Sequence, residues 1–292
     1  MTAKGMGKYG KPKQYSKFIS LKIQSQIQLR RIQFILKIKN SMLRHLFLLT
    51  CLFLSNLSLS GQLDTPDILP SDEGEMIIQP VLHATFTLSW NGKTIYFDPY
   101  GGGQLFEGLS APDLIIITDI HGDHMNIETL NAIQTEHATL VVPPAVRELL
   151  PEHLQSRSIS LSNGEQTEIF GIMIDAIPMY NLPVSEDSRH PKGRGNGYVL
   201  TLGGKRIYIS GDTEDIPEMR ALKDIDIAFV CMNQPFTMTI EQAADAVLDF
   251  KPNIVYPFHF RGRDGLSDVG AFKDRVESAN PSIEVQLKKW YH

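Results

Sequence analysis

The chain has 292 residues, 42% of them hydrophobic and 21% charged, an ordinary balance for a globular protein and enough length for a sizeable core. Its formal net charge of −5 is unevenly placed: residues 1–60 carry eleven Lys and Arg and no Asp or Glu, which leaves residues 61–292 with 17 basic against 33 acidic residues. A body this acidic argues against nucleic acid as a partner, because neutralising phosphates needs a basic face.

Residues 1–41 are basic and Gln-rich. From Met42 the chain reads Met-Leu-Arg-His, then an apolar run from Leu46 to Leu54, then small and polar residues up to Gly61. That order predicts a signal peptide over 42–60, cleaved near Ser60/Gly61, and hence a periplasmic or secreted protein. The apolar run is short for a bilayer span. A retained anchor or a lipoprotein is the competing reading, and membrane association is expected only if 42–60 stays attached. Translation from Met42 would make residues 1–41 an upstream gene-model extension; a basic disordered arm is the alternative. Once the signal is removed Cys231 is the only cysteine, so no disulfide framework is expected.

Residues 61–75, with Pro66, Pro70 and no apolar period, read as a linker, and the domain is expected from Met76 to the end of the chain. Strands are predicted over 77–90 and 94–97, joined at Asn91-Gly92, and over 114–118, 139–142 and 158–161, with helices over 127–134 and 145–150. The second half repeats the plan. Strands are expected over 166–170, 172–178, 198–202, 206–210, 225–230, 253–258 and 283–287. Helices are expected over 217–222, 240–250 and 269–278, the middle one opened by a capping box of Thr239 and Gln242. Helices between strands in both halves suggest an α/β chain (α+β by strand order) of two packed mixed sheets with helices outside.

The stretch that organises the chain is Thr118-Asp119-Ile120-His121-Gly122-Asp123-His124, directly after the apolar run Leu114 to Ile117. Buried carboxylates and imidazoles are costly unless paired or bound to metal. Asp119 and His121 project to one side of an extended chain, and Gly122 lets the chain turn to bring Asp123 and His124 to a second position. Two clusters this close suggest two metals, and the O and N donors suit Zn2+ or another borderline first-row ion. A hydrogen-bonded polar turn is the plain alternative.

Thr118 to His124 resembles the metal motif of the metallo-β-lactamase superfamily, normally His-x-His-x-Asp-His. Gly211-Asp212-Thr213 is similar to its bridging-aspartate motif, and Val255-Tyr256-Pro257-Phe258-His259 to the segment holding its last metal histidine. His83-Ala84-Thr85 and Asp98-Pro99 look like the branch that contains ascorbate-6-phosphate lactonase and N-acyl-phosphatidylethanolamine phospholipase D. The resemblance spans residues 77–290. It implies a four-layer αβ/βα sandwich with a two-metal site between the sheets, zinc being expected and Mn2+ or Fe2+ the alternatives.

Carried over by position, His121 binds metal one, Asp123, His124 and His259 bind metal two, and Asp212 bridges. Asp119 stands where the family usually has a histidine, which makes metal one harder and less positive. The third donor of metal one is expected in the loop 179–196 to be His190, the histidine available there, although Asn181 holds the direct position and is otherwise a candidate for the outer shell or substrate. Asp98 is a candidate to orient a liganding imidazole, against a turn cap before Pro99. His83 is a candidate for hydrogen bonding to substrate or to that outer shell, against a structural role in its strand. Arg261 and Arg263 are candidates to meet a carboxylate or phosphate, against a solvated turn. Gly193 to Gly197 reads as a loop at the site edge, with an anion cradle as the weaker alternative.

Two such metals lower the pKa of a bridging water and polarise a carbonyl or phosphoryl oxygen, with Asp123 as proton acceptor. The expected function is an exported metal-dependent hydrolase of a small molecule, a lactone or other ester first and a phosphodiester second. A non-catalytic metal- or ligand-binding protein on the same fold is the competing class. Oligomeric state is not written in the sequence.

Overall fold

The computed structural model describes residues 63–291, together with residues 26, 28–31 and 34–39, which are helical. The expected signal over 42–60 and its cleavage point lie outside the described residues. No helix among the described residues is long and apolar enough to cross a membrane.

The first sheet runs in chain order: β1 (Asp67–Ser71), β2 (Gly74–Leu82), β3 (Thr85–Trp90), β4 (Lys93–Phe97), β5 (Leu114–Ile116), β6 (Thr139–Val142) and β7 (Ser158–Ser160). β1 to β4 pair antiparallel and β4 to β7 parallel. The parallel crossovers carry the helices α1 (Ile127–Ala132), α2 (Pro144–Leu149) and α3 (Glu152–Gln155). The second sheet repeats this arrangement with β8 (Gln166–Ile169), β9 (Ile172–Met179), β10 (Gly195–Leu202), β11 (Lys205–Ile209), β12 (Ile227–Cys231) and β13 (Ile254–Phe258). A small hairpin, β14 (Arg261–Gly262) and β15 (Gly265–Leu266), precedes the last strand β16 (Glu284–Val285), which pairs parallel beside β13. Its helices are α4 (Pro217–Arg220), α5 (Ile240–Phe250) and α6 (Val269–Ala279). Thr239 and Gln242 close both bonds of the capping box at α5.

Side-chain alternation sorts each central strand between two cores. Ile95 and Phe97 of β4 and Leu114 and Ile116 of β5 face the other sheet, while Tyr96, Ile115 and Ile117 face the α1–α3 layer. Because both faces are covered, these strands read as continuous apolar runs. The two sheets meet through aromatic stacking: Phe86 of β3 lies 4.0 Å from Phe229 of β12 and 4.2 Å from Phe97. Two mixed seven-stranded sheets with helices on their outer faces make the expected four-layer αβ/βα sandwich.

Two expectations need correction. The stretch 61–75 is not simply a linker: residues 67–71 form edge strand β1, and β2 begins at Gly74, two residues before the expected domain start. Its prolines removed the strand signal, yet Pro70 is tolerated because β1 pairs on one side only. The expected strand over 77–90 is two strands joined at His83-Ala84, a turn without the usual Gly, Asn or Pro. Long-range bonds hold it: the His83 N–H donates to the Trp290 carbonyl (3.2 Å), and the His83 carbonyl accepts from the His259 N–H (3.1 Å).

Candidate metal centre

The polar cluster forms where parallel strands end. Asp98 follows β4, Asp119 to His124 follow β5, Asp212 follows β11 and His259 follows β13, so four strand ends from two sheets converge on one rim. His83 reaches it from the β2–β3 turn and His190 from the loop between β9 and β10. His83, Asp98 and His259 all adopt left-handed backbone, at φ 60°, 42° and 45°. Such conformations are uncommon for non-glycine residues and concentrate where the surrounding structure fixes a functional side chain.

Among the described residues, three groups of donor atoms each lie within 4.8 Å of one another: Asp119, His121 and His190; His124, Asp212 and His259; and His83, Asp123 and His259. Asp212 joins the first two. Its Oδ2 is 3.2 Å from His190 Nε2 and 3.4 Å from His124 Nε2, and its Oδ1 is 3.2 Å from His259 Nε2. The His124 and His259 Nε2 atoms are themselves 3.1 Å apart. Asp123 stands at the edge, 32% exposed, with Oδ2 3.1 Å from His83 Nε2 and 3.6 Å from His259 Nε2.

Outer contacts orient these rings. Asp98 accepts from Thr118 N at 2.8 Å, Thr118 Oγ1 at 2.7 Å and His124 Nδ1 at 2.8 Å, so His124 turns Nε2 inward. Asn181 Oδ1 lies 3.1 Å from His190 Nδ1, which leaves His190 Nε2 facing Asp212. The structure thus separates the two residues that competed for one position: the imidazole is in the cluster and the amide stands behind it. Asn181 is anchored in turn by donating to the Phe236 carbonyl at 2.8 Å.

Asp119 is fully buried and paired side-on with Arg194, Nε to Oδ1 at 3.1 Å and Nη2 to Oδ2 at 3.0 Å. Its Oδ2 also lies 2.7 Å from His121 Nδ1, which still has no aligned hydrogen-bond partner. Burial opposes ionisation of Asp119, but His121, His124 and Arg194 hold its carboxyl below the usual range. Burial likewise opposes ionisation of Asp212, and His259 and His124 overcome it. Asp212 and Asp98 raise His124 well above the usual histidine range against burial, whereas burial pushes His259 down to about 3.

Arg261 is not brought into the cluster. Its guanidinium lies over the Tyr291 ring at 4.2 Å, and only its backbone N–H reaches inward, to the Tyr291 hydroxyl at 2.9 Å. Arg263 packs over Phe236. Gly195 to Gly197 form neither an edge loop nor an anion cradle but the buried start of β10. A Cβ on Gly195 would meet the Thr118 carbonyl at 2.8 Å, so glycine permits the Asn196 N–H to reach that carbonyl (2.9 Å) directly beside Asp119. Two contributors carried no local signal: Arg194 pairs across 75 residues, and Tyr291 reaches His83 across 208.

Buried His121 Nδ1, His190 Nε2, Asp212 Oδ1 and His259 Nδ1 have no hydrogen-bond partner. Buried polar atoms are almost always satisfied. Three of these four belong to His121, His190 and Asp212 and lie within 3.2 Å of another donor of the cluster without being aligned to bond it. Unpaired buried donors this close together are what a cation would satisfy, so the donor set fits a divalent metal.

Comparison with known proteins agrees. Residues 78–259 match the family described as Beta-lactamase superfamily domain. A UPF0173 metal-dependent hydrolase of Thermococcus onnurineus is 32% identical over 187 residues, 61% of this chain and 81% of that protein. One from Pyrococcus abyssi is 29% identical over 204 residues, 66% of this chain and 89% of that protein. The crystal structure of a Parabacteroides distasonis protein assigned as a metal-dependent hydrolase aligns with TM-score 0.69 at 34% identity, covering 78% of this chain and 100% of that one. Igni18, a metallo hydrolase of Ignicoccus hospitalis, shares the fold at TM-score 0.63 and 23% identity, over 74% of this chain and 96% of that one. The matched segment runs from β2 to His259 and takes in every strand end of the centre: the chain belongs to the beta-lactamase superfamily.

Proposed function

We propose that Asp119, His121, Asp123, His124, His190, Asp212 and His259 hold two divalent ions, zinc first and manganese or iron as alternatives, and that a small molecule is hydrolysed there. At the coarser level the chain is a metal-dependent hydrolase of the superfamily, as its relatives are named. The observation that carries the two-ion reading is the place of Asp212, whose oxygens lie within 3.4 Å of His190, His124 and His259 and so touch both donor groups.

Ions of this kind lower the pKa of water and polarise a carbonyl or phosphoryl oxygen. The chain's own groups divide the remaining work. Asp98 and Asn181 hold His124 and His190 in one tautomer each, so their Nε2 atoms stay available. His83 occupies Oδ2 of Asp123, which leaves Oδ1 of that partly exposed carboxylate to accept a proton. Lactones or other esters are the first substrate class, on the resemblance carried by His83-Ala84-Thr85, and phosphodiesters the second. Export through residues 42–60 belongs to the same reading.

The test is turnover of lactone, ester and phosphodiester probes by zinc-loaded protein, beside Asp212→Ala and His124→Ala, with metal content measured by elemental analysis. Loss of both ions and of turnover in the variants is expected. Equal rates in all three proteins would remove the hydrolytic role of this centre.

A further inference from the structure

The carboxylate of Asp119 has no exposure, yet it lies between two groups of opposite demand. On one side are His121 Nδ1 at 2.7 Å and the rest of the first donor group; on the other is the Arg194 guanidinium, bonded to both oxygens. Among the described residues, Arg194 is the cation that touches a donor carboxylate of the centre; it is itself only 20% exposed. The pair is braced by backbone. The Asn196 N–H bonds the Thr118 carbonyl at 2.9 Å, so residues 194 and 196 grip residues 119 and 118 on either side of Gly195, where a Cβ would meet that carbonyl at 2.8 Å. Guanidinium presents its donors in a rigid fork, and two parallel bonds fix the plane of a carboxylate.

Two consequences follow for a cation at this group. Both oxygens bond Arg194, but only Oδ2 also lies beside His121 Nδ1, at 2.7 Å, so Oδ2 is the oxygen that would meet an ion at this group. One carboxylate with two neutral imidazoles carries a charge of −1, and the guanidinium returns the set to zero.

We propose that Arg194 is a positioning residue of the first ion site: it presents Asp119 through Oδ2 alone and cancels its charge, so that the Asp119–Arg194 pair acts toward the ion as a single neutral donor. This rests on the two-ion reading above. The pair takes the role a neutral imidazole would have, which makes a specific exchange possible. Asp119→His alone leaves an unpaired guanidinium beside the ion and a set charged +1. Adding Arg194→Gln restores neutrality.

The experiment measures the number and affinity of zinc ions in the full chain by competition with a chromophoric chelator, and the visible spectrum of the cobalt-loaded protein. The proteins are wild type, Asp119→His, Asp119→His/Arg194→Gln and Arg194→Lys. Asp119→His is expected to bind the first ion roughly 10–100-fold more weakly, and the double variant to regain most of that loss. Arg194→Lys keeps the charge without the fork, and its cobalt spectrum is expected to change while the ion count stays. An Asp119→His protein that binds as wild type does, a double variant no better than Asp119→His, or an unchanged Arg194→Lys spectrum overturns the proposal. A wild type holding one ion or none ends the two-ion reading separately, and the pair's role ends with it only if Asp119→His holds the same number.

Discussion

The Tyr291 hydroxyl lies 2.8 Å from Nδ1 of His83 and so helps fix which nitrogen of that ring carries the proton. The Asp123 carboxylate can only accept, so His83 donates to its Oδ2 from Nε2 at 3.1 Å, and Nδ1 then accepts from the Tyr291 hydroxyl, whose oxygen takes the Arg261 N–H. Tyr291→Phe removes that donor while keeping the ring. We expect a fall in kcat of about tenfold with metal content unchanged. Steady-state kinetics beside elemental analysis check it; loss of the ions instead would show that Tyr291 supports the site and not Asp123.

Asp98 satisfies three donors at once, two from Thr118 and one from His124. Asp98→Ala leaves the buried Thr118 N–H without a partner and His124 free to turn. Zinc affinity is expected to fall roughly 10–100-fold, and the protein to lose about 1–3 kcal/mol for each donor left unsatisfied. Chelator competition and denaturant unfolding read the two effects separately.

Gly195→Ala tests how closely β10 must approach the loop of the centre. The added methyl would sit 2.8 Å from the Thr118 carbonyl and 2.5 Å from the Met179 methyl, and the carbonyl cannot give way without moving Asp119. A cost of about 1–3 kcal/mol is expected, together with weaker metal binding. A variant that melts and binds zinc as wild type does would show that the approach is slack.

Chelation should abolish turnover and lower the melting temperature, and zinc at 100 times its Kd should restore about 2.7 kcal/mol. The chelated protein should also depend on pH in a particular way. Burial lowers His259 from 6.5 to about 3, so below pH 6.5 the unfolded chain binds a proton that the folded chain refuses, and stability falls with acid. His124 is raised above 6.5, so its contribution is complete below 6.5 and is lost as pH rises through its folded pKa. Melting temperature in chelator is therefore expected to peak near pH 6.5, and zinc should remove the loss on the alkaline side. A flat profile would show that the two histidines do not control the folded pocket.

Much of this protein was legible one stretch at a time. Apolar runs such as Leu114 to Ile117 end in donors because a strand buried on both faces can expose polar groups only at its ends, and the Thr239–Gln242 box announces α5 locally. Those signals yielded the order of elements, the two repeated halves and the donors Asp119, His121, Asp123 and His124 as candidates, while Asp212 and His259 were marked as donors by the family resemblance of their segments. The sequence did not disclose β1, whose prolines mask an edge strand, or the His83-Ala84 turn, which bonds from Trp290 and His259 hold in place. Nor did it decide between Asn181 and His190, since both lie in one loop and only the folded chain turns the imidazole inward with the amide behind it. Composition and periodicity determined the strands and the rim on which their ends meet, because burial acts on each short segment. The tertiary structure decided the pairings Asp119–Arg194 and His83–Tyr291, because charge and hydrogen bonds act over a few ångströms and take no account of 75 or 208 residues of intervening chain.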